Sequence, residues 1–210
     1  VAHRQGVEDA LGITAAGGRA LVAAADIGDE IAVGRAISRI VSELDGIDVL
    51  VCAAGVGLYG PVLGYSLADW QATFTTNLTG VFLVTKAVIP HVKARGGGSL
   101  IAITTTGVGM IDHGSNAYWV SKAGVERLYL GLASDLKVDN IAVNCLSPSR
   151  VVLTEGWQAG GGGMEIPPEM VEPPEAMANA AVLLAQQVAS GITGTIQRSE
   201  ELVAEERAHE

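Results

Sequence analysis

The sequence predicts an α/β fold: a mainly parallel sheet covered by helices on both faces. Two observations carry this. First, short runs such as residues 47–53 and 99–104 are almost wholly apolar, with no alternation, as expected of strands buried on both sides. Second, longer segments with helical spacing stand between them, and repeated alternation of this kind favours parallel strands with crossover helices. With 210 residues, 49% of them hydrophobic, the chain can bury one sizeable core. It shows no internal repeat and no boundary for a second domain.

The elements follow in order. Residues 8–16 have helical spacing and stop at Gly17-Gly18. Residues 20–25 read as a strand ending in Asp26. Residues 29–44 form an amphipathic helix whose buried face holds Ile31, Ala36, Ile37, Ile40, Val41 and Leu44. Strand 47–53 follows, then a long helix over 67–95 with Trp70, Phe74, Leu78, Phe82 and Val88 as apolar positions. Strand 99–104 ends in hydroxyl residues and a glycine turn. Helix 116–137 and strand 140–146 come next, the latter running into a Pro148-led loop. Residues 149–174 have little periodicity, and loops of that length are commonly lids, binding loops or disordered insertions. A helix over 175–189 and a short strand over 194–198 complete a single domain of residues 1–198. Residues 199–210 are an acidic tail that frays or forms a solvated helix.

Composition excludes several functions. Lys and Arg number 13 against 23 Asp and Glu, a formal charge of −10, which disfavours nonspecific binding to nucleic acid or anionic membrane. Cys52 and Cys145 fall at apolar strand ends and read as small buried hydrophobes. The four histidines are scattered without ligand spacing, so no metal site is expected. No signal peptide and no apolar run of membrane-spanning length is found, which points to the cytoplasm. Asn77-Leu78-Thr79 matches a glycosylation sequon, but a mid-helix position speaks against it.

The candidate chemistry centres on Ala117-Tyr118-Trp119-Val120-Ser121-Lys122. On a helix, Tyr118 and Lys122 share a face. A nearby ammonium lowers a phenol's pKa and makes Tyr118 a usable general acid or base; a solvated helix face shows the same spacing. Thr105 stands thirteen residues before Tyr118, at the end of strand 99–104. Asn77 sits inside the long helix, where asparagine competes for backbone hydrogen bonds and has reason to do another job.

With these residues in that order, and with the flanking blocks Asp48-Val49-Leu50-Val51-Cys52-Ala53-Ala54-Gly55 and Asn144-Cys145-Leu146-Ser147-Pro148-Ser149, the chain resembles the short-chain dehydrogenase/reductase family from Val1 to about Thr195. The resemblance implies a Rossmann-like, doubly wound sheet and hydride transfer between NAD(P)(H) and a carbonyl or alcohol. It implies that Tyr118 donates the proton, that Lys122 tunes Tyr118 and binds the nicotinamide ribose, and that Thr105 holds the substrate oxygen. Asn77 would anchor a water leading from Lys122 to solvent. Asp26 and Ile27 would flank the adenine, Ala54 and Gly55 would line the cofactor cleft, and Pro148 and Val151 would lie at the nicotinamide. Trp119, Trp157, Met110, Ile111 and Met164 hint at an apolar substrate pocket, although surface or core packing explains each equally well. A homodimer or homotetramer is the implied assembly.

Departures from the family pattern accompany the resemblance. Thr105 replaces the usual serine, Cys52-Ala53 the usual paired asparagines, and Ser149 the usual glycine. No strand, glycine-rich turn and helix of the kind that holds a pyrophosphate is recognisable. Residues 1–4 look instead like the end of the family's second strand, so the sheet is expected to be N-terminally incomplete, with a vacant slot between strands 20–25 and 47–53. Buried groups facing that slot would cost roughly 1–3 kcal/mol each. In that alignment His3 and Arg4 occupy the strand-end position where an acid would select NAD, and Arg4 suits a 2′-phosphate, which favours NADP(H). The alternative is a truncated or degenerate relative that binds a partner or ligand without catalysis.

Overall fold

The computed structural model describes residues 2–109, 114, 116–154 and 165–209. Helix α1 (Ala2–Ala15) and α2 (Glu30–Leu44) precede β1 (Val49–Cys52). A helical stretch follows in three parts: α3 (Leu67–Phe74), a π-helical turn (Thr75–Gly80) and α4 (Val81–Ala94). Then come β2 (Gly98–Ile103), α5 (Asn116–Asp135), β3 (Ile141–Ser147), α6 (Pro174–Ala185), β4 (Ile196–Arg198) and α7 (Ser199–His209). The four strands form one parallel sheet in the order β1-β2-β3-β4, with Cys52, Ala102, Cys145 and Ile196 in register across it.

Alternation along the central strands builds two cores. Leu100, Ala102, Val143 and Cys145 face a cluster with Val33, Ile37, Val81, Val88, Val125 and Tyr129 from α2, α4 and α5. Ile101 and Leu146 face the other way, against Ala180, Leu184 and Leu202 of α6 and α7. Successive side chains point to opposite faces, so one apolar run feeds both layers, and each fully buried Leu or Ile contributes about 1.5–3 kcal/mol.

Helix α2 begins as predicted, because Asp29 Oδ1 accepts the Ile31 and Ala32 amides at 2.8 and 3.2 Å. Its buried face is centred on Val33 and Ile37, whereas Ile31 is 66% exposed. In the long helix Val88 is buried, but Trp70 and Phe82 lie towards solvent. By length and composition alone the stretch Leu67–Ala94 could cross a membrane, which corrects the expectation that no such run exists. It packs instead as a core helix, with Thr73, Asn77 and Thr85 buried within it.

The largest corrections lie before β1. Residues 2–4 are helical, so His3 and Arg4 belong to α1 and not to a strand end. Helix bonds are local, whereas an extended segment needs a ladder partner, and among the described residues none reaches it. Gly17, with φ of 85°, takes the left-handed turn that ends α1, and the Gly18 amide donates to Ile13 O at 2.9 Å. Residues 20–25 make no ladder either. Side chains tie them to α2's surroundings, with Arg39 Nη1 donating to Val22 O at 3.4 Å and Arg19 Nη2 to Glu43 O at 2.5 Å. Among the described residues β1 therefore pairs on one side only. Val49 and Val51 are 38% and 44% exposed, so its free edge meets solvent and avoids the cost of burial.

The acidic C-terminus is a helix with an anchored first turn. Ser199 and Leu202 are buried, and Glu205, Glu206 and Arg207 beyond them are exposed. Within the aperiodic segment, Val151 and Val171 form an isolated parallel bridge, flanked by Val151 N–H to Met170 O at 2.8 Å.

Candidate active site

The C-terminal ends of the parallel strands converge on one edge of the sheet, where open α/β sheets bind ligands. The π-helical turn brings Asn77 there. Such turns insert one residue into a helix and are frequent at functional sites. Asn77 is fully buried. Its Oδ1 accepts the Val56 amide at 2.8 Å, and its Nδ2 donates to Val56 O at 2.9 Å and to Ser121 Oγ at 3.0 Å. Ser121 in turn donates to Tyr118 O at 2.6 Å. One asparagine thus joins the loop after β1 to the helix that carries Tyr118 and Lys122.

Tyr118 and Lys122 lie on α5 as the spacing predicts. Lys122 is 3% exposed and donates from Nζ to Ile103 O, the last carbonyl of β2, at 2.8 Å. This faces the pair towards the end of that strand. Nζ stands 5.7 Å from the Tyr118 ring centroid, within cation–π range. Tyr59 meets the same ring edge-on, with centroids 6.1 Å apart. Gly55 closes the group: a Cβ there would lie 3.4 Å from Asn77 Oδ1 and 3.5 Å from Lys122 Nζ.

The electrostatics differ from the expected tuning. Burial, with a smaller contribution from Tyr59, pushes the Tyr118 phenol up to about 12. Burial also pushes the Lys122 ammonium down to about 8. Lys122 does not lower the Tyr118 pKa here, because loss of hydration works against charge on both groups. The Lys122 shift has a testable sign. Its folded value lies below the ordinary 10.5, so between those values the unfolded chain holds the extra proton, and stability from this group rises with pH. The melting temperature of Lys122→Met minus that of wild type is expected to be most positive near neutral pH. It should shrink as pH climbs above about 8, and a pH-independent difference would reject the assignment.

Thr105 sits two residues beyond β2, but its Oγ1 accepts the Gly107 amide at 3.2 Å. Among the described residues no direct hydrogen bond joins Thr105 to the Tyr118 hydroxyl. The short turn at Thr106–Gly109 draws the hydroxyl to its own backbone. Trp119 packs on this turn, since a Cβ on Gly107 would meet Trp119 Nε1 at 2.3 Å. Trp157, Met110, Ile111 and Met164 lie outside the described residues.

Beneath the pair is a network that sequence reasoning did not find. Tyr129 Oη is 2.9 Å from Thr85 Oγ1 and donates to Cys52 Sγ at 3.5 Å, all buried. Tyr129 follows Tyr118 by eleven residues, about three helical turns, and that spacing could have revealed it. Cys52 and Cys145 are free and buried, as expected.

The other expected cofactor contacts are spread around this edge. Ile27 fills the space that Gly80 leaves on the π-helical turn, with Cγ1 2.7 Å from where a Cβ would stand. Asp26 Oδ1 is engaged by the Gly28 amide at 2.9 Å. Pro148 and Val151 follow β3. Arg4 is carried away on α1, whose described side chains are mainly exposed.

A dinucleotide can be tested against this arrangement. The end built from Gly55, Asn77, Tyr118 and Lys122 fits, because bare backbone leaves room directly against a buried amine. The pyrophosphate end does not. Gly55, Gly57 and Gly60 follow β1, but Gly60 N–H goes to Gly114 O at 2.7 Å, and α3 starts only after Ser66, whose Oγ accepts the Asp69 amide. Among the described residues no glycine turn passes directly from strand to helix.

Similarity to known proteins is consistent with this site. Residues 2–198 match the family model described as enoyl-(acyl carrier protein) reductase. D-threitol dehydrogenase of Mycolicibacterium smegmatis is 34% identical over 178 residues, which are 81% of this chain and 68% of that protein. The 3-oxoacyl-[acyl-carrier-protein] reductase of Synechocystis is 34% identical over 185 residues, covering 87% and 75%. A gluconate 5-dehydrogenase from Burkholderia cenocepacia, solved with NADP and tartrate, superposes with a TM-score of 0.81 at 26% identity, over 93% of this chain and 80% of that one. The chain belongs to the short-chain dehydrogenase/reductase family. Its sheet is of the Rossmann type, and NAD(P)-dependent oxidoreduction of a small molecule is its class of activity.

Proposed function

We propose that this chain reduces a carbonyl to an alcohol with Tyr118 as the general acid. The observation that supports this most is the convergence of Gly55, Asn77, Tyr118 and Lys122 at the end of β2. A phenol raised to about 12 is protonated throughout the neutral range, the form that donates in reduction. A dinucleotide held at this cleft would supply the hydride for the carbonyl carbon. Tyr118 gives its proton to the carbonyl oxygen, and Lys122 offsets the charge left on the phenolate before solvent returns the proton. Lys122 also holds the nicotinamide ribose. Thr105 positions the substrate oxygen once its hydroxyl turns from Gly107. Asn77 Oδ1 keeps a lone pair for a water between Lys122 and solvent. Pro148 and Val151 border the nicotinamide, Ala54 and Gly55 the cleft, and Asp26 and Ile27 the adenine.

NADP(H) is preferred over NAD(H) in this proposal. Its support is the NADP held by the Burkholderia cenocepacia relative, since the helical position of Arg4 removes the strand-end rationale. The proposed setting is a cytoplasmic homodimer or homotetramer. The test follows nicotinamide absorbance with NADPH and NADH against polyol-derived ketones and 3-oxoacyl thioesters, the classes named by the relatives. Turnover of none, with no dinucleotide binding by calorimetry, would reject the proposal.

A second reading, a noncatalytic binding module, is favoured by the pyrophosphate end, which the described residues leave unbuilt. Gly55→Ala separates the two. In an enzyme, a methyl group against Asn77 and Lys122 should weaken dinucleotide binding at least several-fold by calorimetry. Stability should change by less than about 1 kcal/mol. A binding module that does not use this cleft would show no change in ligand affinity.

A further inference from the structure

The loop leaving β3 is held by a device outside the candidate catalytic group. Glu172 is 1% exposed, and its carboxylate is met by hydrogen-bond donors. Oε2 accepts the Ser149 and Arg150 amides, each at 3.0 Å. Oε1 accepts the Ser199 hydroxyl at 2.6 Å. Ser199, also fully buried, receives the Ser149 amide at 3.0 Å as well. Ser149 Oγ takes the Glu200 amide at 3.1 Å and lies 3.4 Å from Ser199 Oγ. The Glu172 backbone closes the ring by donating to Val151 O at 2.9 Å. Arg150 then reaches out to Glu200 and to Glu169 O.

A buried carboxylate is expensive unless several donors meet it, and truncating it leaves those donors unpaired. Here the donors come from two separate segments, the loop at residues 148–151 and the first turn of α7. Ser149 does not occupy a left-handed backbone conformation. Its hydroxyl therefore adds a link to α7 without the strain such a position would impose.

We propose that Glu172, with Ser149 and Ser199, is a positioning clamp that fixes the loop at residues 148–151 and thereby sets dinucleotide affinity from the C-terminal helix. The second half rests on the oxidoreductase reading above; the first does not. Ser199→Ala removes one donor at small steric cost. Glu172→Gln keeps the shape and can still accept the two amides, whereas Glu172→Leu cannot.

Hydrogen exchange on the protein alone reads the first half. The Ser149 and Arg150 amides should exchange roughly tenfold faster in Ser199→Ala and faster still in Glu172→Leu, with Glu172→Gln near wild type, as expected for hydrogen bonds worth about 1 kcal/mol or more each. Unchanged protection in Ser199→Ala, which is expected to fold, would overturn the clamp even if Glu172→Leu does not fold. Calorimetry and steady-state kinetics read the second half. Ser199→Ala should raise the dissociation constant and KM for the dinucleotide several-fold with kcat little changed. Looser amides with unaltered dinucleotide affinity would overturn the link to the cofactor. A wild-type chain with protected amides and no dinucleotide binding would overturn the oxidoreductase reading while supporting the clamp.

Discussion

Tyr118→Phe is expected to cut turnover by about 10²–10⁴-fold, the usual worth of a positioned proton donor. The substitution removes one oxygen from a half-buried ring that keeps its edge contact with Tyr59. The fold should survive, and the melting temperature should stay close to wild type. Dinucleotide binding should change little, so the loss should fall on kcat. Single-turnover measurements at saturating cofactor and substrate would show it directly. A variant that retains most of its activity would remove Tyr118 from the chemistry and leave the Lys122 amine as the remaining proton donor of the group.

Asn77→Ala is expected to cause the largest loss of stability of any single change at the site. Asn77 is fully buried and makes three hydrogen bonds, to both backbone groups of Val56 and to Ser121. Alanine leaves all of those partners unpaired, for a loss on the order of 3–5 kcal/mol. Urea denaturation would measure it. A loss below about 1 kcal/mol would mean that water replaces the side chain without penalty. Where the variant still folds, the loop at Gly55 should loosen, and dinucleotide affinity should fall with it. A surface asparagine would show neither effect.

Much of the site was legible because its residues have strong local signals. The spacing of Tyr118 and Lys122 on a helix, and an asparagine out of place at position 77, both follow from helix geometry. The strands at the centre of the sheet were legible for a related reason: Leu100-Ile101-Ala102 and Cys145-Leu146 are apolar on consecutive positions, as a strand buried on both faces requires. The failures share a different cause. Residues 1–4 and 20–25 have strand-like composition, but a strand exists only through its neighbour, and composition does not say whether a neighbour is there. The π-helical turn was hidden in one uninterrupted helical pattern. The pKa of Tyr118 was misjudged because adjacency on a helix shows which charges are near and not how much water is lost. Glu172 and Ser199 were invisible, since their partners lie at sequence separations of 22 to 50 residues.

Those separations also order events in time. The unit β2–α5–β3 is continuous in the chain and holds Lys122, Ile103 and Tyr118 together, so its contacts close short loops and are expected to appear early. The bonds from Ser99 Oγ to Leu184 O and from Ser149 to Ser199 close much longer ones. Ordering the chain into those contacts must wait until the intervening segments are in place. The Tyr118–Lys122 pair is thus expected to be assembled in a half-folded chain, whereas the loop that follows β3 becomes fixed only in the last step. A mutation in α7 would accordingly speed unfolding and leave the folding rate nearly unchanged.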